Sequence, residues 1–436
     1  MVAMQPLNLD TTFVTSLRCV LCGESHDPRD AEYVCPRCGD EGILDVQYDY
    51  ERARPFFTPA ALAASTERGM WRYRPLLPLP ASAPVPPLET GMTPLYDAPR
   101  LAAALGLGTV LVKDDSRQPT ASFKDRASAL AVALAGLRGA SAVATASTGN
   151  AAAALAGMAA STGTPCVIFV PASAPKAKIA QLLAYGATVF AVEGTYDQAF
   201  DICMAACRRM GWYNRNTGYN PYMAEGKKTA AFEICEQMGW RAPDAVFVGV
   251  GDGCIIAGLH KGFADLAALG LIERMPRLYG VQAAGSDFLA RCFETGQDPL
   301  RAAPIEAKTV ADSISAGLPR DRIKAMAAVV RTGGSFVRVE DDEILRAIPD
   351  LAAHTGVFAE PAAAASLAGL RRAATEGLVA PHETVCIVAT GSGLKDVAAA
   401  ERACAALGRH TISMSPGILT DQRLLDEALA AARPAR

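Results

Sequence analysis

The sequence has no excess of basic residues and no apolar run long enough to cross a membrane. Its 42 Lys and Arg residues are scattered and balanced by 45 Asp and Glu residues, which argues against a nucleic-acid partner. Its longest apolar stretches, such as ALAVALAGL and AAAALAGMAA, fall short of the roughly 20 residues of a membrane span. The first residues, MVAMQPLNLDTTF, lack a basic segment followed by an apolar core, so we expect no secretion signal. These absences predict a cytoplasmic protein with no membrane partner.

Length and the distribution of proline divide the chain into three regions. The 436 residues, half of them hydrophobic, exceed one compact core and fit two or three domains. Residues 1–50 hold a cysteine-rich segment, and residues 51–90 are dense in proline from Pro75 to Pro87, which predicts an extended linker or wrap. We expect residues 91–430 to form the main domain, with a smaller subdomain at roughly 128–225 nested in it.

Short β-branched runs in the main region predict strands, and alanine-rich helical patterns fill most of the gaps between them. Near-continuous apolar strands that alternate with helices are typical of a mostly parallel sheet covered on both faces, which is an α/β fold. The predicted strands are TVLV (109–112), AVATA (142–146), CVIFV (166–170), TVFAV (188–192), AVFVGV (245–250), LYGVQ (278–282) and TVCIVAT (384–390).

Three of the predicted strands end in polar or glycine-rich turns, at residues 147–150, 251–253 and 390–393. In parallel sheets, ligands collect where strands end and helices begin. No GxxxxGK[ST] loop is present, and GVGDGCIIAG has Ile256 where a dinucleotide-binding turn needs glycine. The best interpretation is a small phosphate held by backbone N–H groups at the start of a helix.

Four of the twelve cysteines form a CxxC-x12-CxxC arrangement, namely Cys19, Cys22, Cys35 and Cys38. Two CxxC turns aim four thiolates at one point, which predicts a closed tetrahedral zinc site that builds structure and leaves no position for a substrate. A knuckle that has lost its metal and a redox CxxC pair are the alternatives. The other cysteines are dispersed, mostly in apolar segments, where a reduced thiol acts as a small hydrophobe.

One lysine, Lys124, lies between small residues and an Asp-Arg pair in PTASFKDRAS (119–128). Lysines usually extend into solvent, so a solvated residue in the first turn of a helix is the ordinary interpretation. The alternative is an amine held out of water to act as a nucleophile, because burial lowers its pKa toward neutrality. The three turns at strand ends favour this alternative.

Taken together, these segments resemble threonine synthases and, more broadly, the fold-type II enzymes that use pyridoxal 5′-phosphate (PLP). The resemblance implies a tryptophan synthase beta-like fold, with the site between two α/β subdomains of parallel or mixed sheets and an N-terminal zinc-ribbon-like knuckle. It also implies a homodimer. It runs from about Trp71 to Asp396 and is carried by TPLYDAPRLAAALG, PTASFKDR, ASTGNAAAA, AEGKKTAAFEICEQMGW, VGVGDG, FAEPAAAASLAGL and TGSGLKD.

The resemblance also implies a role for each polar turn. Lys124 would form the Schiff base with the cofactor and, once freed, would move protons at the substrate. Asn150 would contact the ring hydroxyl and Thr390 would face the pyridine nitrogen. Glu360 would either belong to the site or only cap a helix. The remaining residues are the substrate-carboxylate turn, Ser147, Thr148 and Gly149, and the cofactor-phosphate turn, Gly251, Asp252, Gly253, Cys254 and Ile255.

Several positions depart from the threonine synthase pattern around the leaving-group pocket. Gly218 and Met223 replace a serine and an arginine that in the family hold the substrate phosphate, and Ser315 replaces another arginine. Each lost hydrogen bond to a charged group is worth about 1.5–3 kcal/mol. Arg215 and Lys227 are the residues that could compensate, and both could equally lie on the surface.

The expected function is a PLP-dependent lyase or synthase that eliminates or replaces a β- or γ-substituent of a small L-amino acid through Lys124. The altered pocket favours a non-phosphorylated leaving group, as in carbon–oxygen or carbon–nitrogen lyases. The alternative is threonine synthase proper, which converts O-phosphohomoserine to threonine and phosphate. An inert relative and a metal hydrolase are weaker alternatives, because Lys124 is intact and the cysteine cluster has no open position.

Overall fold

Strands in three sheets organise the part of the chain that the computed structural model describes, which comprises residues 4–30, 33–174, 176–409, 411, 416 and 422–431. In chain order the strands are β1 (Val14–Cys19), β2 (Ser25–His26), β3 (Leu44–Tyr48), β4 (Leu95–Asp97), β5 (Thr109–Asp114), β6 (Val143–Ala146), β7 (Cys166–Pro171), β8 (Thr188–Val192), β9 (Tyr213–Asn214), β10 (Ala245–Gly249), β11 (Arg277–Ala283), β12 (Ser335–Val339) and β13 (Thr384–Ala389).

Helices connect most of these strands, and none in the described ranges is both long and apolar enough to cross a bilayer. They are α1 (Tyr50–Ala53), α2 (Pro59–Ala63), α3 (Pro99–Leu105), α4 (Lys124–Leu137), α5 (Asn150–Thr162), α6 (Lys176–Ala184), α7 (Tyr196–Met210), α8 (Tyr222–Gln237), α9 (Cys254–Ala268), α10 (Phe288–Thr295), α11 (Arg322–Arg331), α12 (Asp341–Thr355), α13 (Pro361–Thr375), α14 (Val397–Ala406) and α15 (Gln422–Ala431).

The larger sheet has the strand order β12-β11-β10-β13-β5-β4 and is parallel except for β4. Its central strand β10 pairs with β11 and β13 and is buried along its whole length. All seven strands predicted from β-branched runs are present, with ends shifted by at most a few residues. Strands β4, β9 and β12 were not predicted; β4 and β9 have only three and two residues, too few to show a periodic pattern.

A smaller sheet of four parallel strands, β8-β7-β6-β9, lies entirely within the stretch expected to form the nested subdomain. Helices α4, α5 and α8 pack together between the two sheets, and the buried side chains of these helices belong to the same core. Parallel strands direct their carboxyl ends to one edge, so the turns that follow β6 and β10 can face a common space.

The N-terminal ribbon is a three-stranded antiparallel sheet with the order β2-β1-β3. Cys19 ends β1 and pairs directly with Leu44 at the start of β3. The four predicted ligands Cys19, Cys22, Cys35 and Cys38 have sulfur atoms that all lie within 4.8 Å of one another. This clustering is compatible with the structural zinc site that the spacing predicts.

The segment 51–90, predicted as an extended linker, contains several short helices up to Leu76. Helix α2 begins with Pro59, and a 3₁₀ helix spans Gly69–Leu76. Proline is tolerated in the first turn of a helix, because the N–H that it lacks would have no partner there. The longest stretch free of helix and strand is 77–94, which contains most of the prolines of the segment.

Candidate active site

A cavity of about 580 Å³ lies between the two parallel sheets, at the carboxyl ends of β6 and β10. The turn after β6, the turn after β10 and Lys124 all line it, although the two turns are more than 100 residues apart in the chain. A third side is formed by residues 312–318, which follow α10. Two of the three predicted turns and Lys124 thus converge on one space, as expected at the switch between strand orders.

Lys124 is the first residue of α4, and its half-buried side chain lines the cavity. Ala121, three residues earlier, has a φ of 62°, a left-handed conformation that is unfavourable for a residue with a side chain. The turn is held by the backbone N–H of Phe123, which donates to the carbonyl of Thr390 at 2.8 Å. Burial lowers the pKa of the Lys124 amine; nearby Glu360 opposes this effect and Arg215 adds to it.

Two helix N-termini point at this cavity. Ser147, Thr148, Gly149 and Asn150 line it at the start of α5. All five residues of the 251–255 turn line it at the start of α9. Helix N-termini present unpaired backbone N–H groups and a partial positive charge, so each of these turns is suited to an anion.

Glycine is required at the second turn by both conformation and space. Gly253 has a φ of +89°, and a Cβ atom there would lie 2.5 Å from the Cβ of Ala325 on α11. Gly251 is equally confined, since a Cβ would lie 2.8 Å from the backbone of Ile314. The turn is therefore packed directly against α11 and the 312–318 segment.

Asp252 belongs to the predicted phosphate turn, although a carboxylate that faced a phosphate would repel it. Its Oδ1 atom accepts a hydrogen bond from the backbone N–H of Arg320 at 3.1 Å, and its carbonyl accepts one from Asp321 at 2.9 Å. Asp252 thus joins the turn to the residues that begin α11. This geometry gives it a structural explanation that the sequence did not.

Glu360, which the sequence left undecided, is buried beside Asn150. The amide of Asn150 donates to the Glu360 carboxylate at 2.8 Å, and Glu360 N–H donates to the Gly391 carbonyl at 3.0 Å. Burial raises the pKa of Glu360, an effect that the nearby Lys124 opposes. Thr390 is also buried, but among the described residues it is not part of the cavity lining.

Arg215 and Lys227 are buried residues that line the cavity. Both donate to the hydroxyl of Thr217, at 2.9 and 3.4 Å respectively. Among the described residues neither is paired with a carboxylate, since the other partners of Arg215 are the Ser128 hydroxyl and the Lys124 carbonyl. Burial lowers the pKa of Lys227 to about 7 and that of Arg215 to about 10. A guanidinium and an amine this close, neither paired with a carboxylate, suit an anion, whose charge would favour the protonated form of Lys227.

The positions that depart from the threonine synthase pattern do not all lie at the cavity. Met223 is fully buried in the apolar core, and Ser315 lines the cavity. Gly218 packs against Arg320, because a Cβ at Gly218 would lie 2.5 Å from the Cβ of Arg320. Arg320 also lines the cavity. No local sequence signal marks Arg320, because it reaches the site through loop packing over a separation of about 100 residues.

Two ion pairs cross the rim of the cavity, from the small-sheet region to the 312–320 segment. Lys178 on α6 pairs with Asp312 at 2.5 Å, and Asp197 on α7 pairs with Arg320 at 2.7 Å. The guanidinium of Arg320 also lies over the ring of Phe200, 4.5 Å from its centre. Both aspartates are largely exposed, so these pairs are solvated contacts at the entrance.

An amine whose pKa is lowered by burial, facing a cavity with two turns suited to anions, is the arrangement that an enzyme with a phosphorylated aldehyde cofactor requires. In agreement, the family described as "Pyridoxal-phosphate dependent enzyme" matches residues 87–391. The chain belongs to this family, and within it the chain is threonine synthase-like.

Two similar proteins of known sequence share one name, and a solved structure shares the fold. A "Threonine synthase" of Methanocaldococcus jannaschii is 37% identical over 391 residues, covering 88% of this chain and 94% of the relative. A "Threonine synthase" of Synechocystis sp. is 40% identical over 353 residues, covering 78% and 87%. The solved structure of the processed form of threonine deaminase isoform 2 from Solanum lycopersicum is 24% identical, covers 73% of this chain and 84% of its own, and has a TM-score of 0.62. This last likeness confirms the fold.

The residues around the cavity fit PLP, which is the family's cofactor. An aldehyde requires an amine that is not protonated, and the pKa of Lys124 is lowered. A phosphate requires convergent N–H groups, and the confined glycine turn at α9 offers them. The protein is thus a PLP-dependent enzyme of the lyase type, which acts on a small amino acid.

Proposed function

We propose that the protein is a threonine synthase that converts O-phospho-L-homoserine and water to L-threonine and inorganic phosphate. The names of the relatives favour this reaction over the non-phosphorylated leaving group that the sequence favoured. The observation that carries the proposal is the unpaired cation pair Arg215 and Lys227 in the cavity. Most of the relatives' length is matched, so the comparison extends over the whole catalytic region.

The proposal requires three anion sites, and the cavity offers three. The substrate brings a carboxylate and a phosphate, and the cofactor brings a second phosphate. We assign the cofactor phosphate to the 251–255 turn, the substrate carboxylate to Ser147, Thr148 and Gly149, and the substrate phosphate to Arg215 and Lys227. A buried dianion needs paired charges to offset its loss of solvation, and these two cations supply them.

We assign the remaining residues to proton transfer and to the orientation of the cofactor. When bound, PLP supplies an electron sink for negative charge at the substrate carbons. Lys124 would hold the cofactor covalently and, once freed, its amine of lowered pKa would accept the proton from the substrate's α-carbon. Asn150 is held by Glu360 at 2.8 Å and orients the cofactor ring. Arg215 and Lys227 would stabilise the departing phosphate. Thr390 is buried but does not line the cavity, so its predicted contact with the ring nitrogen rests on the family resemblance alone.

A comparison of substrates tests the function. Purified holoenzyme is incubated with O-phospho-L-homoserine, and separately with L-serine and L-threonine, while phosphate, threonine and 2-oxo acids are measured. We expect equal amounts of phosphate and threonine from the phosphorylated substrate, with little 2-oxo acid from the others. Release of 2-oxo acid from L-serine or L-threonine, without turnover of O-phospho-L-homoserine, would contradict the proposal.

That contrary result would favour the second candidate, elimination of a non-phosphorylated group. Its support is that Met223 lies in the apolar core and Gly218 has no side chain, so neither position replaces the phosphate contacts of the family pattern. The two cations would then bind the cofactor phosphate together with the 251–255 turn.

Removal of the Arg215 guanidinium distinguishes the two candidate reactions, because only the first assigns Arg215 to the substrate phosphate. For Arg215→Met we expect kcat/KM for O-phospho-L-homoserine to fall about 10- to 100-fold, since a hydrogen bond to a charged group contributes about 1.5–3 kcal/mol. The affinity for PLP should change little. Arg372→Met, which removes the Glu343 ion pair between α12 and α13, is the control. A loss of PLP affinity with unchanged kcat/KM would assign Arg215 to the cofactor instead.

The assignment of the 251–255 turn is tested by Gly253→Ala. The added methyl group meets Ala325 and the backbone cannot relax easily at φ +89°, so we expect the Kd for PLP to rise about tenfold. Gly296→Ala is a matched control, because Gly296 has a φ of +68° and an added methyl group there would have no atom within 4 Å. Equal PLP affinity in both variants would refute the assignment.

A further inference from the structure

The N-terminal ribbon contacts all three helices at the end of the cavity where we place the cofactor phosphate. These are α8, which carries Lys227; α9, which begins at the 251–255 turn; and α11, which packs on Gly253. Tyr48 at the end of β3 donates to Glu225 of α8 at 2.6 Å, and Tyr50 donates to Asp265 of α9 at 2.7 Å. Between them, Lys228 bridges Glu225 and Asp265 in a fully buried ion pair.

The contacts with α11 begin beside the cysteine turns. Lys324 of α11 donates to the Leu44 carbonyl at 2.8 Å and to the Asp45 carboxylate at 3.0 Å. Leu44 is the residue that pairs with Cys19 across the ribbon. Arg322, at the start of α11, pairs with Glu41 at 2.6 Å, three residues after Cys38. Both anchors of α11 thus lie next to predicted metal ligands.

The other side of α11 contacts the glycine turn. The backbone N–H of Asp321, just before α11, donates to the Asp252 carbonyl at 2.9 Å. Ala325, one residue after Lys324, is the residue that leaves no room for a side chain at Gly253. A displacement of α11 by a fraction of an ångström would therefore shift the backbone of the 251–255 turn, because close-packed contacts transmit strain.

We propose that the ribbon, with its bound metal, positions the phosphate turn of the cofactor site through α11, and that Lys324 is the positioning residue. The ribbon is then part of the cofactor site's support, although it contributes no group to the cavity. The inference rests on the assignment of the cofactor phosphate to the 251–255 turn made above. It is independent of which amino acid is the substrate.

The test compares the affinities of the full-length apoenzyme for PLP and for pyridoxal, which lacks the phosphate. Lys324→Met keeps the helix and the apolar stem but removes the contacts with Leu44 and Asp45. We expect the ratio of PLP to pyridoxal affinity to fall about tenfold in Lys324→Met. Wild type stripped of zinc by a chelator should show a similar fall, and stripped Lys324→Met should show no further fall. Arg372→Met should match wild type.

The outcomes separate the inference from the assignment on which it rests. An unchanged ratio in Lys324→Met, together with a lowered ratio in Gly253→Ala, would overturn the inference and leave the phosphate assignment intact. An unchanged ratio in both variants would overturn both. Additive effects of chelation and Lys324→Met would show that the metal acts by another route and would also overturn it. Should Lys324→Met fail to fold, Asp45→Asn removes the same ion pair from the ribbon side.

Discussion

Lys124→Ala should lower turnover of the amino-acid substrate by about 10³-fold or more, because it removes both the covalent hold on the cofactor and the group that moves the proton. The side chain lines the cavity and its pKa is lowered by burial. After borohydride treatment, the wild-type peptide containing residue 124 should carry an added pyridoxyl mass. The variant should carry none, and its cofactor should be removed by dialysis.

Lys176→Ala is the matched control for this experiment. Lys176 is an exposed lysine at the start of α6, and its replacement should change neither the turnover nor the labelled peptide. Pyridoxyl mass found on another lysine of the wild-type protein, with residue 124 unmodified, would exclude the assigned role. Circular dichroism of the variant would establish that the loss is chemical and not a failure to fold.

The second large effect concerns stability and comes from Arg126, two residues after Lys124. Its guanidinium is fully buried and bonds Asp115 at 2.7 and 2.8 Å and Glu233 at 2.5 and 2.8 Å. Lys113 is also buried and pairs with Glu233 at 2.7 Å. This ion-pair cluster joins β5, α4 and α8 beneath the active site.

Arg126→Met should lower the free energy of unfolding by about 3–5 kcal/mol, because it leaves the Asp115 carboxylate buried without a cation. Urea denaturation followed by circular dichroism measures the effect. Arg372→Met removes a half-exposed ion pair and should cost less than about 1 kcal/mol. If unpaired charge is the cause, adding Asp115→Asn to Arg126→Met should restore part of the stability; no restoration would mean that packing dominates.

The sequence predicted the elements whose signals are local. The β-branched runs indicated every central strand, and the small-residue setting of Lys124 together with three polar turns indicated a common site. Residues 147–150 and 251–255 do meet Lys124 at one cavity. Their roles toward cofactor and substrate remain predictions that the variants above test.

The features that the sequence did not predict depend on pairs distant in the chain. Arg320 reaches the cavity because Gly218 leaves space for it, and Glu360 meets Asn150 across 210 residues. The contact between Asp45 and Lys324 spans 279 residues. No periodicity within one segment encodes such contacts, since they arise from how whole elements pack. The burial of Arg215 and Lys227 was likewise not predicted, because the sequence around them is equally compatible with a position on the surface.

The two ion pairs at the cavity rim are solvated contacts that can separate at a small cost in free energy. Exposed ion pairs contribute at most about 1 kcal/mol each, so separating Lys178 from Asp312 and Asp197 from Arg320 costs about 2 kcal/mol at most. At that cost an open entrance would be populated on the order of a few per cent of the time. Thermal motion alone is then sufficient for small molecules to pass the entrance, and higher ionic strength should hasten their passage.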